Sequence, residues 1–380
     1  MGNQKTSGLT KRGGVWHIDK QFRGARICES TGTGDLKKAE EYLAKRVIEF
    51  REARIYGIRE LRSFRAAATK YLQDYHFKKS IDDDALHLKQ LDPFIGGLEL
   101  KQVHMGSPQE FIAKRRADGV KTKTVNAALA VVRRVLNLSA SEWMDEQGMT
   151  WLDAAPKIKL FPVKDARSPY PLTREEQALL FRELPDHVAR MALFKVNTGL
   201  REQEVCGLKW EYEVKVPELE TSVFVIPGGN VKNGEERLVV LNRVAKSVVE
   251  SLRGLHPVNV FVRVPGKDAK ARPLSKIYNT AWKAARERAA DAWEKEHKDK
   301  APAGFRSIRV HDLKHTFGRR LRAAGVSFED RQDLLGHRSG RITTHYSQAE
   351  LTSLIEAAER VCDTESRKTP ATTWLRRKAG

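Results

Sequence analysis

Cysteine is scarce in this chain: Cys28, Cys206 and Cys362 lie far apart and form no CxxC pair. That spacing excludes a disulfide framework and a cysteine-built zinc site, and it sets the expectation of a reducing compartment. Long apolar runs are missing as well. No stretch approaches the roughly 18 consecutive apolar residues a membrane span needs, and the first residues hold no apolar signal region. The expectation is therefore a soluble, intracellular protein with no membrane partner. Acidic charge is in short supply. Against 69 Lys and Arg stand 49 Asp and Glu, a formal net charge of +20 in 380 residues and a pI near 9.8. Such a chain is too long for one ordinary domain and too basic to be indifferent to polyanions. Its basic residues are spread along the sequence rather than gathered in one tail, so several phosphate-contacting surfaces are expected, with nucleic acid as the leading partner.

What is present begins with a small sheet. Residues 15–22 partly alternate apolar with polar, Arg23-Gly24-Ala25 can turn, and residues 26–31 can return as a second strand. After Gly32-Thr33-Gly34, Asp35 is placed to cap a helix running to about Arg54, with Ala39, Tyr42, Leu43, Val47 and Ile48 as its apolar stripe. Lys11, Arg12, Lys20, Arg23 and Arg26 would stud a ribbon able to enter a DNA groove. From about Leu61 to Leu160 the pattern is helical. Phe64, Ala67, Ala68, Tyr71, Leu72 and Tyr75 form one stripe, and Val125, Ala128, Leu129, Val132, Val135 and Leu136 form another on a long helix ending near Glu146. Residues 156–164 then read as an extended basic linker, because Pro162 disfavours helix at Phe161 and neither flank is periodic. Thr173 opens a new helix with Glu175 and Glu176 in its first turn.

Chemistry-bearing residues gather in the second half. Arg201, in Thr198-Gly199-Leu200-Arg201, stands where a helix begins after a glycine, and Glu204 one turn later can orient its guanidinium. Strand-like runs at 224–227 and 238–241 flank Lys232-Asn233-Gly234, whose Asn-Gly pair is a turn signal, so Lys232 is expected near a hairpin tip. His311 and Lys314 lie three apart on a helix and share a face. His337 follows Leu335-Gly336, and Tyr346 comes nine residues after it. Cations in fixed geometry, a nucleophile and a proton source are what attack on a DNA phosphodiester requires, and this order of residues suits that task with a phenol as the nucleophile.

This ordered set resembles the tyrosine recombinases, the phage-integrase family, strongly over residues 172–362 and moderately before them. The resemblance implies roles. Arg201 would clamp the phosphate, Lys232 would protonate the departing 5′ oxygen, His311 would handle protons near the nucleophile, and His337 would bond a nonbridging oxygen. Tyr346 would attack phosphorus to give a 3′-phosphotyrosine, so that exchange needs no nucleotide, metal or other cofactor. His315 and His345 are read as structural or, at most, as supports for the residues that touch the phosphate. One position departs from the family: Lys314 stands where a second arginine is usual, in the form His-x-x-Arg-His. Lysine keeps the charge but cannot form a bidentate clamp. Either the site is adapted to an ammonium or activity is reduced, and restoring arginine is expected on the sequence alone to raise the cleavage rate.

The implied architecture is multidomain, mainly α with small β-sheets. It comprises an arm-site DNA-binding module of ββ(β)α type at 1–56, a helical core-binding bundle at 61–160, a linker at 161–171, a mixed α/β catalytic domain at 172–362, and a C-terminal tail at 363–380. The implied activity is site-specific integration or excision of a mobile element such as a phage. Implied partners are double-stranded DNA at core and arm attachment sites, three further copies of the chain in a tetramer on DNA, and DNA-bending accessory proteins, in the bacterial cytoplasm at the nucleoid. A type IB-like topoisomerase and a catalytically impaired DNA-binding homologue are the alternatives.

Overall fold

The computed structural model describes residues 8–22, 25–56, 59–146, 148–264, 270–336 and 348–362. The chain divides into two compact units, Met1–Arg167 and Ser168–Gly380. Among the described residues no helix is long and apolar enough to cross a membrane.

The first unit opens with three antiparallel strands, β1 (Leu9–Arg12), β2 (Val15–Phe22) and β3 (Ala25–Ser30), in the order β1-β2-β3. Leu9 and Ile18 are register partners, and together with Ile27 they form the buried face. Helix α1 (Leu36–Tyr56) closes that face. Asp35 caps it, accepting from the Lys38 amide at 3.1 Å. Ala39, Leu43 and Phe50 are buried, whereas Ile48 is exposed. At 100° per residue Ile48 falls off the face defined by positions 39, 43 and 50, so the stripe ends on Phe50.

The bundle follows with α2 (Phe64–Asp74), α3 (Ile81–Leu91), α4 (Gln109–Ala117) and α5 (Thr122–Ser141). All six expected core residues of α5 are buried. The helix stops five residues short of Glu146, because the amides of Glu142 and Trp143 both turn back to the Leu138 carbonyl and Trp143 folds inward against Trp151. Residues 156–164 lack helix and strand, as their prolines suggest. They are nevertheless laced to the bundle: Ile158 is buried, and Asn126 exchanges two hydrogen bonds, 2.8 and 2.9 Å, with the backbone of Phe161.

In the second unit Thr173 and Glu176 form the capping box of α6 (Arg174–Glu183). Helices α7 (Asp186–Thr198) and α8 (Glu202–Cys206) follow. A meander of β4 (Glu213–Val216), β5 (Thr221–Ile226) and β6 (Arg237–Val240) leads into α9 (Arg243–Glu250). After the short pair β7 (Val262–Arg263) and β8 (Arg272–Pro273) come α10 (Thr280–His297), α11 (Ala303–Arg306), α12 (Val310–Ala323), α13 (Phe328–Leu335) and α14 (Gln348–Glu359). One core gathers α6, α7, α9, α10 and the sheet around Trp282, Phe194 and Phe224. A second packs Phe317 and Leu321 of α12 against Leu334 of α13 and Leu354, Ala358 and Val361. Helix α12 contributes to both cores, which fixes the face carrying His311 and Lys314.

Candidate active site

Arg201 is placed by the turn between α7 and α8. Gly199 caps α7 at φ +63°, a left-handed conformation, and a Cβ there would come 2.7 Å from Phe317, so both backbone and space require glycine. Two residues later Arg201 occupies the N-cap of α8. Glu204 accepts from its amide at 2.7 Å and from its guanidinium at 2.8 Å. Main chain and side chain are thus held by one buried carboxylate. The outer edge of the guanidinium faces Asn233 Oδ1 and the Gly336 carbonyl, each at 3.5 Å.

Asn233 belongs to the connection between β5 and β6, whose register sets Ile226 against Arg237. Val231 is buried as its anchor, Gly234 turns the chain at φ +77°, and Lys232 between them is exposed. The third contributor is α12. Its first turn is tied down by Asp312, which accepts from the amides of Arg309 (2.8 Å) and Tyr170 (3.2 Å), and by Thr316, which accepts from the Leu172 amide at 3.0 Å. His311 and His315 then meet edge to face, with centroids 4.9 Å apart. Lys314 is only 5% exposed, and its ammonium donates to the Leu335 carbonyl at the end of α13. His311, Lys314, His315, Arg319 and Arg331 line a cleft of about 720 Å³ between α12 and α13. His337, His345, Tyr346 and the tail 363–380 lie outside the described residues, as does Arg23.

Two residues that motif reading passed over are central to this arrangement. Arg237, 4% exposed, pairs with Glu204 and donates to the carbonyls of Gly199 (3.2 Å) and Leu334 (3.3 Å), joining the Arg201 turn, the hairpin and α13. Lys195, fully buried on α7, donates to the Leu200 carbonyl. Both had a signal. Arg237 and Val239 share the inward face of a strand with period two, and Lys195 falls at i+4 and i+7 from the core residues Met191 and Val188.

The electrostatics follow from this packing. Burial pushes Lys314 down to about 6, helped by Arg237 and Arg201. Burial likewise pushes Lys195 down to about 7 and Arg237 down to about 10. Loss of water around His311, then the charges of Lys195, His315 and Lys314, push its imidazole down to about 4. Burial alone would raise Glu204, but Arg237 and Arg201 hold it below the usual carboxylate range. Two arginines and two lysines therefore gather around Glu204, and the lysines release their protons readily until an anion such as an incoming phosphate arrives to hold them.

A family model described as the phage integrase family matches residues 172–352, and one described as the phage integrase N-terminal domain matches residues 8–50. The chain belongs to the phage integrase family. The integrase of Salmonella phage P22 is 25% identical over 389 residues, spanning 93% of this chain and 94% of that relative. The tyrosine recombinase XerA of Pyrococcus furiosus is 25% identical over 254 residues, 66% of this chain and 78% of the other. Among solved structures, a lambda integrase dimer bound to a COC′ core site shares the fold with a TM-score of 0.56 at 12% identity, covering 100% of both chains. A lambda integrase tetramer bound to a Holliday junction shares it at 0.53 and 14% identity, over 92% of this chain and 100% of that one. This integrase-family protein is a site-specific tyrosine recombinase, an enzyme that breaks and rejoins DNA.

Proposed function

We propose that the recombinase grips the scissile phosphate with Arg201 and Lys314 and attacks it with Tyr346. The phenol oxygen forms a bond to phosphorus as the bond to the 5′ oxygen breaks. Lys232 supplies the proton that the leaving oxygen takes, His311 accepts the tyrosine proton, and His337 donates to a nonbridging oxygen. The 3′-phosphotyrosine conserves the phosphoester, and the reverse steps on a new 5′ hydroxyl rejoin the strand. The observation that carries this reading is the gathering of Arg201, Arg237, Lys195 and Lys314 around Glu204, with Lys314 lining an open cleft, because buried amines with depressed proton affinity are recharged by an incoming phosphate.

The remaining regions take DNA-binding roles in the same reading. The module at 1–56 would read arm sites through its β-ribbon, on which Lys11 and Arg12 are exposed. The bundle at 61–160 would hold the core site opposite the catalytic domain at 172–362, with the stretch 161–171 between them and the tail at 363–380 contacting a neighbouring copy. Four copies would assemble on two core sites with DNA-bending proteins at the nucleoid. DNA binding and self-assembly are supported by the relatives crystallised as a dimer on a core site and a tetramer on a junction.

Tyr346→Phe tests the chemistry on a nicked suicide duplex. Binding should stay near wild type while the covalent adduct disappears, since only the nucleophilic oxygen is lost. An adduct formed by the variant would mean that another residue is the nucleophile. Relaxation of supercoiled DNA by the wild-type protein with no strand exchange between duplexes would favour topoisomerase chemistry instead.

A further inference from the structure

We infer that Lys195 is a positioning residue for the phosphate clamp: from inside the core its ammonium fixes the turn that presents Arg201 and sets a positive charge behind His311 and Lys314. The inference rests on Arg201 contacting the phosphate.

Lys195 is 0% exposed, among the largest fully buried side chains of the protein. Its neighbours along the inward face of α7, Val188, Met191 and Ala192, are apolar. A methionine or leucine would fill the same space without an ammionium's dehydration, so packing alone gives no reason for lysine here. Its polar contacts do. The carbonyl of Lys195 accepts from the Gly199 amide at 2.9 Å, and its Nζ donates to the Leu200 carbonyl. One residue thereby grips the peptides on either side of the Gly199-Leu200 bond, and the second of them leads directly into Arg201. The Leu200 carbonyl gains a charged donor, which stiffens the backbone from which the guanidinium projects.

Among the described residues, the charged and titratable groups around Lys195 come from three elements. Helix α8 contributes Glu202, Glu204 and Cys206, β6 contributes Arg237, and α12 contributes His311 and Lys314. None of the carboxylates is free for Lys195. Glu204 is taken by Arg201 and Arg237, and Glu202 accepts from the amides of Ile277 and Tyr278, each at 2.6 Å. Burial pushes the Cys206 thiol up to about 12, leaving it neutral. The charge of Lys195 is consequently felt by the residues lining the cleft, and after burial it is the leading influence holding His311 unprotonated.

Two substitutions separate the hydrogen bond from the charge. Lys195→Met removes both, and Lys195→Gln keeps a donor for Leu200 without the charge. Single-turnover cleavage of a suicide duplex is measured from pH 5 to pH 9, beside melting temperature and duplex affinity. Lys195→Met is expected to slow cleavage on the order of tenfold at saturating DNA. It should also move the acid limb of the profile to higher pH, because His311 returns toward its ordinary value of 6.5. Lys195→Gln should recover much of the rate while keeping the displaced limb. Variants whose melting temperature changes while rate and acid limb stay at wild type would make Lys195 merely structural and overturn the inference. Arg201→Ala, run alongside, distinguishes the two levels: normal cleavage by it would remove the clamp reading itself, whereas lost cleavage with unaltered Lys195 variants would remove only the role of Lys195.

Discussion

Two sets of basic residues in this recombinase carry the same formal charge in opposite surroundings. On the N-terminal ribbon Lys11 and Arg12 lie open to solvent, and the exposed Arg26 pairs across the strands with Asp19 at 2.7 Å. In the catalytic unit Arg237, Lys314 and Lys195 are buried and converge on a region whose one committed carboxylate is Glu204. Water solvates the first set whether or not DNA is present, so its charges act additively and are screened by salt. The second set was dehydrated during folding, and its lysines respond by giving up their protons far below the ordinary lysine range. The lesson is that charge count points to a class of partner, whereas burial decides how each charge behaves.

The comparison is broken hardest at Glu204. Glu204→Gln leaves Arg237 and Arg201 without their shared carboxylate, and removing one partner of a buried pair costs about 3–5 kcal/mol. Denaturant unfolding of the DNA-free protein should show that loss, together with cleavage reduced beyond what the residual folded fraction explains. A change no larger than that of a surface substitution would mean that the buried cluster is solvated after all.

Lys314→Arg comes next. Sequence alone favoured a gain, because guanidinium forms the better phosphate fork. The ammonium, however, is packed at 5% exposure and bound to the Leu335 carbonyl, and a larger head group there displaces the end of α13. Overpacking costs about 1–3 kcal/mol of stability, and the shifted end of α13 is expected to slow cleavage. Single-turnover rates of the two proteins on one suicide duplex decide between these outcomes, and a faster arginine variant would show that the pocket opens on DNA.

A pH series sharpens the contrast. Burial pushes Lys314 to about 6 and Lys195 to about 7, both below the ordinary lysine value of 10.5. Below about pH 6 both folded and unfolded chains hold these protons, and the penalty for burying them is felt in full. Above it the folded chain sheds protons that the unfolded chain keeps, so stability rises with pH until the ordinary lysine range is reached. Unfolding free energies between pH 7 and pH 9 should climb by roughly 1 kcal/mol per pH unit for each lysine, and Lys314→Met should flatten the slope. The smallest effect belongs to the ribbon. Arg12→Ala should leave the melting temperature unchanged and lower the salt dependence of arm-site binding by about one unit of log–log slope. A clear loss of stability would place Arg12 with the buried set.

Local signals were legible wherever a short stretch of chain decides the outcome. The capping positions Asp35 and Thr173, the apolar stripe of α5, the turn at Asn233-Gly234 and the orientation of Arg201 by Glu204 one helical turn away could all be read directly, since each depends on residues within a few positions. Where a distant segment intervenes, local reading falls short. Trp143 ends α5 early because it folds back against Trp151, and Ile48 is left in solvent because the small sheet covers only one side of α1.

By itself the sequence determined the order of the elements, the excess of positive charge and the motif that marks the family, because periodicity, capping and composition are properties of neighbours along the chain. Only the tertiary structure decided what the buried cations contact. Arg237 became the joint between hairpin, Arg201 turn and α13, Lys195 came to lie beneath Leu200, and Lys314 was sealed against Leu335. The physical reason is that a charge acquires its chemistry from what surrounds it, and these surroundings are assembled from a turn, a hairpin and helix ends that meet only in the fold.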